Sequence, residues 1–332
     1  MKHEYYYLTE FGEFKYFDKK NPDLKKSTFL VLDSSVCLDI VNVVNKKANN
    51  KLSRRKAFEV LKYSKKKSMP PFIVFGLLEL SLDKLTFRID GEKFIDMSNK
   101  INFAFNFPLE RLKKNDFDFS KNFYSPSNSN INENATPIME QLFIHYSALL
   151  KIREIASKDL SKEKSKENIV YFIEWMNSEL EMILGIEYQL AFQIFGGNTS
   201  FRSMIKENSG KEKTLKALWG TAWDLFHARV SRNSSQLSTI IGEDINSIFV
   251  TNDKKLFQLL APQIEIMSKV GKTKIYMTDG NAENPPHFDD LFIEKLNDKV
   301  KCIFNKRDLS DVNYPNTEMI KTIISKLEEN VN

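Results

Sequence analysis

Four acidic residues of this chain stand where an ionised side chain is costly. Asp33 ends the apolar run Thr28-Phe29-Leu30-Val31-Leu32. Glu79 is the one charge in Phe72-Ile73-Val74-Phe75-Gly76-Leu77-Leu78-Glu79-Leu80-Ser81-Leu82. Asp224 lies within Trp219-Gly220-Thr221-Ala222-Trp223-Asp224-Leu225-Phe226-His227-Ala228, and Asp253 closes Ser247-Ile248-Phe249-Val250-Thr251-Asn252-Asp253. A carboxylate in such surroundings needs a cation beside it. A single divalent metal would serve all four. An all-oxygen ligand set suits Mg²⁺ or Mn²⁺, whereas zinc would want His or Cys. Such a site activates water and neutralises charge on a phosphodiester.

Each acid also has a plainer reading. Asp33 could cap the helix that follows it, Glu79 could pair with a core Lys or Arg, Asp224 could face solvent, and Asp253 could be a turn residue after Asn252. His227 follows Asp224 by three residues and shares its helical face, where a structural role is favoured over contact with phosphate. Arg229, Arg232, Lys254 and Lys255 flank two of the acids. They fit contacts to a phosphate backbone and equally a solvated basic face.

The positioning elements follow from pattern. Thr28 to Asp33 reads as a strand buried on both faces, and Ser34 or Ser35 as the N-cap of a helix from Val36 to about Asn45. A basic helix is expected over Ser53–Lys67. Pro70 and Pro71 stop it, and Pro71 opens the apolar helix that carries Glu79. Later come a helix over Lys213–Arg229, a second buried strand over Ser247–Thr251, a helix over Lys254–Leu260 and a third strand over Lys274–Met277. An amphipathic helix over Asn316–Glu329 ends the chain. Between the halves, 115–136 reads as irregular, followed by helices at 137–159 and 167–195, the second ended by Gly196-Gly197. The aromatic-rich start, Tyr5-Tyr6-Tyr7 to Phe17, suits a short hairpin whose rings pack on the core.

The 332 residues are 42% hydrophobic, enough for a sizeable core. Lys and Arg number 49 against 44 Asp and Glu, a net charge of +5. That balance permits a polyanionic partner without demanding one. Cys37 and Cys302 form no metal-spaced pair and no disulfide framework. No signal-peptide pattern opens the chain and no apolar stretch approaches a membrane span, so a cytoplasmic protein is expected. Serine-nucleophile and dinucleotide-binding motifs are absent from the sequence.

The order strand-Asp33-Ser34-Ser35, Pro-led helix with Leu77-Leu78-Glu79-Leu80, helix with Trp223-Asp224-Leu225-Phe226-His227-Ala228, then Phe249-Val250-Thr251-Asn252-Asp253 resembles the PIN and PIN-like nucleases. Residues 28–90 and 215–280 carry the resemblance. It implies an α/β core with a central, mostly parallel sheet flanked by helices. It implies Mg²⁺ or Mn²⁺ on Asp33, Glu79 and Asp224, with Asp253 completing the site. Thr251 and Ser34 or Ser35 would support it by hydrogen bonds, with His227 beside them. The implied activity is endoribonucleolytic, of the toxin or defence-effector type, with RNA favoured over DNA. A DNase on single strands or junctions is the alternative, as is a non-catalytic nucleic-acid-binding protein. An inhibitory protein partner and a homo-oligomer are compatible with it. Glu79 and Asp224 lie further apart than in small members of that family. The implied organisation is an N-terminal extension (1–27), a first core part (28–90), a mostly helical insertion (91–214) and a second core part with the C-terminal helix (215–332).

Overall fold

The apolar run after residue 27 becomes a strand because both of its faces are covered. Leu30, Val31 and Leu32 are all buried, without the in–out alternation of a half-exposed strand. The computed structural model describes residues 5–9, 12–13, 27–47, 51–83, 88–121, 131–206, 209–231, 233–261, 263–267, 274–278, 284–306 and 316–331.

In chain order, strands β1 (Tyr6–Thr9), β2 (Gly12–Glu13) and β3 (Ser27–Leu32) precede helices α1 (Ser34–Val44) and α2 (Lys51–Lys67). Strand β4 (Pro71–Phe72) leads into α3 (Val74–Ser81), α4 (Gly91–Asn106) and α5 (Leu109–Lys113). The helices α6 (Ile131–Lys158), α7 (Ser165–Ser178), α8 (Gly185–Phe195), α9 (Lys211–Ser231) and α10 (Ser234–Ile241) follow. Strand β5 (Ile245–Thr251), helix α11 (Lys254–Leu260), strands β6 (Gln263–Met267) and β7 (Lys274–Thr278), and helices α12 (Asp290–Lys306) and α13 (Thr317–Glu329) complete the chain.

The chain divides into two compact units, Met1–Pro137 with His227–Phe257, and Ile138–Phe226 with Gln258–Asn332. The first holds a five-stranded sheet of order β2-β1-β5-β3-β4. Strand β3 runs parallel to β5, with Leu32 opposite Val250, and parallel to β4. Strand β1 runs antiparallel to both β5 and β2. The sheet is therefore mixed rather than mostly parallel. The aromatic N-terminal strand adds itself beside β5 in the reverse direction, and Tyr6 stacks on Phe257 with ring centroids 4.5 Å apart. Leu30 and Leu32 pack with Val36 and Ile40 of α1, Val60 and Leu61 of α2, Ile101 and Ala104 of α4, and Ile248 and Val250 of β5. Each fully buried Val, Leu or Ile side chain among them contributes about 1.5–3 kcal/mol. The stretch 91–113 thus folds onto the sheet of the first unit.

Several expected elements shift. Pro71 opens the edge strand β4 rather than a helix, and the Pro70 carbonyl accepts the N–H of Leu30. A proline is tolerated at the first residue of an edge strand, where no ladder donor is needed. Helix α6 starts at Ile131, inside the stretch read as irregular. Ala135, Met139 and Leu142, buried at helical spacing, carry its packed face past Pro137. The helix expected over 167–195 is two helices. Glu181 takes a left-handed φ of 51° while Leu180 and Leu184 are buried on either side, pinning the break. The third strand, β7, pairs antiparallel with β6 in a separate two-stranded sheet.

In the second unit His145 and Glu187 form a buried pair, Nδ1 to Oε1 2.7 Å. His287 Nδ1 lies 2.7 Å from Ser165 Oγ. Its ring lies over Gly197, where φ is +92° and a Cβ would come within 2.5 Å of Nε2. Both histidines thus have structural partners.

Candidate metal centre

The site is built where β3 and β5 end side by side. The N–H of Asp33 donates to the Val250 carbonyl (3.0 Å), so the residue after β3 is held at the carboxyl edge of the sheet. That edge is where open α/β sheets bind ligands. Asp33 is 2% exposed. Its Oδ1 accepts the N–H of Ser34 at 2.8 Å, and its Oδ2 accepts the hydroxyls of Ser35 at 3.0 Å and Thr251 at 2.7 Å. Asp33 itself is therefore the N-cap of α1, the place expected for Ser34 or Ser35. Capping leaves the same carboxylate a member of the candidate group.

Glu79 arrives on α3. That helix passes close to the end of β3 because Gly76 lacks a side chain. A Cβ there would lie 2.8 Å from the Leu32 carbonyl oxygen and 3.0 Å from Cys37 Sγ. Glu79 is three residues further on, on the same helical face. Its side chain keeps 20% exposure, while its Oε2 is buried.

The third member is His227, from the last turns of α9. Its ring is 1% exposed and packs near Phe75 and Phe249, at centroid distances of 6.0 and 6.5 Å. Nδ1 lies 3.5 Å from Asp33 Oδ1 and 4.0 Å from Glu79 Oε2. One ligand atom from each of Asp33, Glu79 and His227 lies within 4.8 Å of the others.

Burial alone would raise the Asp33 pKa. The contact with His227 and the hydroxyls of Thr251 and Ser35 outweigh it and hold the carboxyl below its ordinary value of 3.8. Burial alone would lower His227. Its contact with Asp33, the charge of Glu79 and the Phe75 carbonyl outweigh that and raise it above 6.5. Burial, with the charges of Asp33 and Glu79, pushes the Cys37 thiol well up.

The convergent group is thus two carboxylates and an imidazole, not four carboxylates. Asp253 is not part of it. Its Oδ1 caps α11, accepting the N–H groups of Lys255 (2.6 Å) and Leu256 (2.8 Å), while its own N–H donates to Thr251 Oγ1 (3.0 Å). It supports the site through Thr251. Asp224 is half-buried in α9 and falls in the second compact unit, outside the group. Ser34 contributes its backbone N–H. Arg229 and Lys255 are half-buried and Lys254 is exposed. Arg232 lies outside the described residues. Sequence reasoning gave His227 a supporting place. The signal for more was its setting: a titratable ring inside the apolar run Leu225-Phe226-His227-Ala228, where burial demands a partner.

Asp, Glu and His oxygen and nitrogen donors fit a divalent cation. A nitrogen ligand favours Mn²⁺ and the later transition metals over Mg²⁺. Nδ1 must lose its proton before it can coordinate. No protein-family model, no curated protein and no solved structure matches the chain.

Proposed function

We propose that the chain is a divalent-metal-dependent nuclease of PIN-like organisation that hydrolyses RNA. The observation that carries this reading is the convergence of Asp33, Glu79 and His227 at the carboxyl edge of two parallel strands. The order of the acid-bearing motifs along the chain supports it. Asp33, Glu79 and His227 would hold the ion. When bound, it supplies an activated water and neutralises charge on the scissile phosphate. Thr251 and Ser35 keep the Asp33 carboxylate in one orientation. Mn²⁺ fits this donor set better than Mg²⁺, a shift from the all-oxygen expectation.

The raised pKa of His227 favours a second reading. An imidazolium between two carboxylates satisfies their charge without any metal, as a buried ionic core.

The test incubates end-labelled RNA and DNA of one sequence with Mn²⁺, Mg²⁺ or EDTA. RNA cleavage with Mn²⁺, abolished by EDTA and by Glu79→Gln, is the expected result. Cleavage that survives EDTA or Glu79→Gln overturns the metal mechanism. Absence of both cleavage and Mn²⁺-induced thermal stabilisation favours the ionic core.

A further inference from the structure

Helix α2 divides sharply between its two sides. Ala57, Phe58, Val60, Leu61 and Ser64 are buried. The outward side carries Lys51, Arg55, Lys62, Lys65 and Lys66, with the single acid Glu59 among them. Among the described residues none of these five cations sits in an ion pair. At 1.5 Å per residue the helix offers a cationic edge about 25 Å long.

Neighbouring elements flank that edge, and on α5 Arg111 pairs with Asp116 and Lys113 with Glu110. Lys65 Nζ donates to the Phe107 carbonyl at 2.7 Å, and Arg54 Nη2 to the Lys113 carbonyl at 3.1 Å. Glu110 on α5 registers the field. A hydrogen bond from Lys113 and its charge, with Lys114 and Lys62 adding theirs, hold its carboxyl below the usual range. Half-buried phenylalanines lie alongside. Phe103 stacks on Phe107 at 4.6 Å, and Phe117 lies 5.8 Å from Phe107. Arg111 sits over the Phe107 ring and Lys46 over Phe117, at 5.2 and 4.8 Å. Helix α2 also touches the turn after β5, because Lys56 Nζ donates to Asn252 Oδ1. Asn252 stands between Thr251 and Asp253.

We propose that this face is the docking track for a single-stranded polynucleotide, its phosphates along the α2 lysines and its bases on the phenylalanine cluster. Cations interleaved with partly exposed rings match a strand whose backbone is charged and whose bases are open to stacking. An anionic membrane would need the apolar side of the helix, and that side is buried in the core. The choice of partner rests on the nuclease reading above.

The test is fluorescence anisotropy in EDTA with labelled single-stranded RNA and DNA, their duplex, and phosphatidylglycerol vesicles as competitor. The variants are Lys62→Glu/Lys65→Glu/Lys66→Glu and its glutamine counterpart. An equal charge change in the second unit, Lys162→Glu/Lys164→Glu/Lys216→Glu, is the control. The glutamate variant is expected to lose affinity by on the order of a hundredfold at 0.1 M salt. Its log–log salt slope should fall by about 2, at about 0.7 for each phosphate no longer neutralised. The glutamine variant should move the same way and the control should bind like wild type. Phe107→Leu should weaken binding about fivefold without changing the slope. Wild-type affinity in both α2 variants overturns the track, as does duplex or vesicle binding as tight as single-strand binding. Anisotropy in EDTA needs no turnover. Intact binding without cleavage therefore strikes only the nuclease reading, and undiminished cleavage by the α2 variants strikes only the track.

Discussion

Thr251 Oγ1 lies 2.7 Å from Asp33 Oδ2, across 218 residues of chain. The same hydroxyl accepts the N–H of Asp253 at 3.0 Å. One side chain thereby links the ends of β3 and β5 and aims a carboxylate. Thr251→Val keeps the shape and removes both bonds, leaving buried polar atoms unsatisfied. A loss of about 1–3 kcal/mol is expected in urea unfolding, with weaker Mn²⁺ binding by titration. Thr251→Ser should recover most of both. If valine binds Mn²⁺ as wild type does, the hydroxyl has no part in orienting Asp33.

The imidazole should set metal preference. His227→Asp makes the ligand set all-oxygen and is expected to shift activation from Mn²⁺ toward Mg²⁺. Wild-type protein should gain about 2.7 kcal/mol of stability at a hundredfold excess of Mn²⁺ over its Kd, and Glu79→Gln much less. Thermal melts across a metal series read both effects. An unchanged Mg²⁺-to-Mn²⁺ ratio in His227→Asp would remove His227 from the ligand set.

Metal-free protein should be most stable between about pH 4 and 6.5. Asp33 is depressed on folding, so its contribution is present above the ordinary 3.8 and lost as pH falls through the lower folded value. His227 is raised, so its contribution is complete below 6.5 and lost as pH rises through the higher folded value. In His227→Asn the alkaline loss should vanish. Saturating Mn²⁺ should also suppress it, because a coordinated imidazole is already neutral. Melting temperature against pH, with EDTA and with Mn²⁺, checks all three.

Much of the first unit is written in local pattern, and the chemistry less so. The runs ending at Asp33 and Asp253 each hold a stretch of consecutive apolar residues, Phe29 to Leu32 and Ile248 to Val250, so both strands and their terminal acids could be read. Glu79 stood out as the one charge in its run. The role of His227 could not be read from spacing, because a buried histidine in an apolar helix looks the same whether it meets carboxylates or a carbonyl. Asp253 carried two compatible roles, and only the observed N–H groups of Lys255 and Leu256 select the cap. Strand β4 is two residues long, too short for any periodicity, and Pro71 points to a helix start as readily as to a strand edge. The break near Glu181 has no Gly or Pro, only a left-handed φ that the sequence Ser178-Glu179-Leu180-Glu181 does not announce.

Gly76→Ala should separate placement from folding. The new methyl would meet the Leu32 carbonyl at 2.8 Å, and backbone does not yield cheaply. Helix α3 must move outward, carrying Glu79 with it. The expected cost is about 1–3 kcal/mol, together with a loss of metal affinity larger than Leu80→Ala produces at equal destabilisation. Paired unfolding and Mn²⁺ titrations would show this.

The two thiols should differ in reactivity. Cys302 is exposed, while Cys37 is buried with its pKa pushed up beside Asp33 and Glu79. The thiolate is the reactive form. Native protein should release one equivalent with an aromatic disulfide reagent, and guanidinium-unfolded protein two. Two fast equivalents in native protein would place Cys37 in contact with solvent.

The Thr251–Asp33 bond has a bearing on how errors in folding would show themselves. Side chains on a strand alternate between faces, so a slip of β5 by one residue against β3 turns every side chain over. With Leu32 opposite Val250 the hydroxyl reaches the carboxylate; one step either way, and the position offers a valine or an asparagine instead. A mispaired sheet would be blind to metal however compact it became. If the proposed centre holds Mn²⁺, metal uptake would report strand alignment, sensitive to an error that a helix-dominated circular dichroism spectrum would pass over.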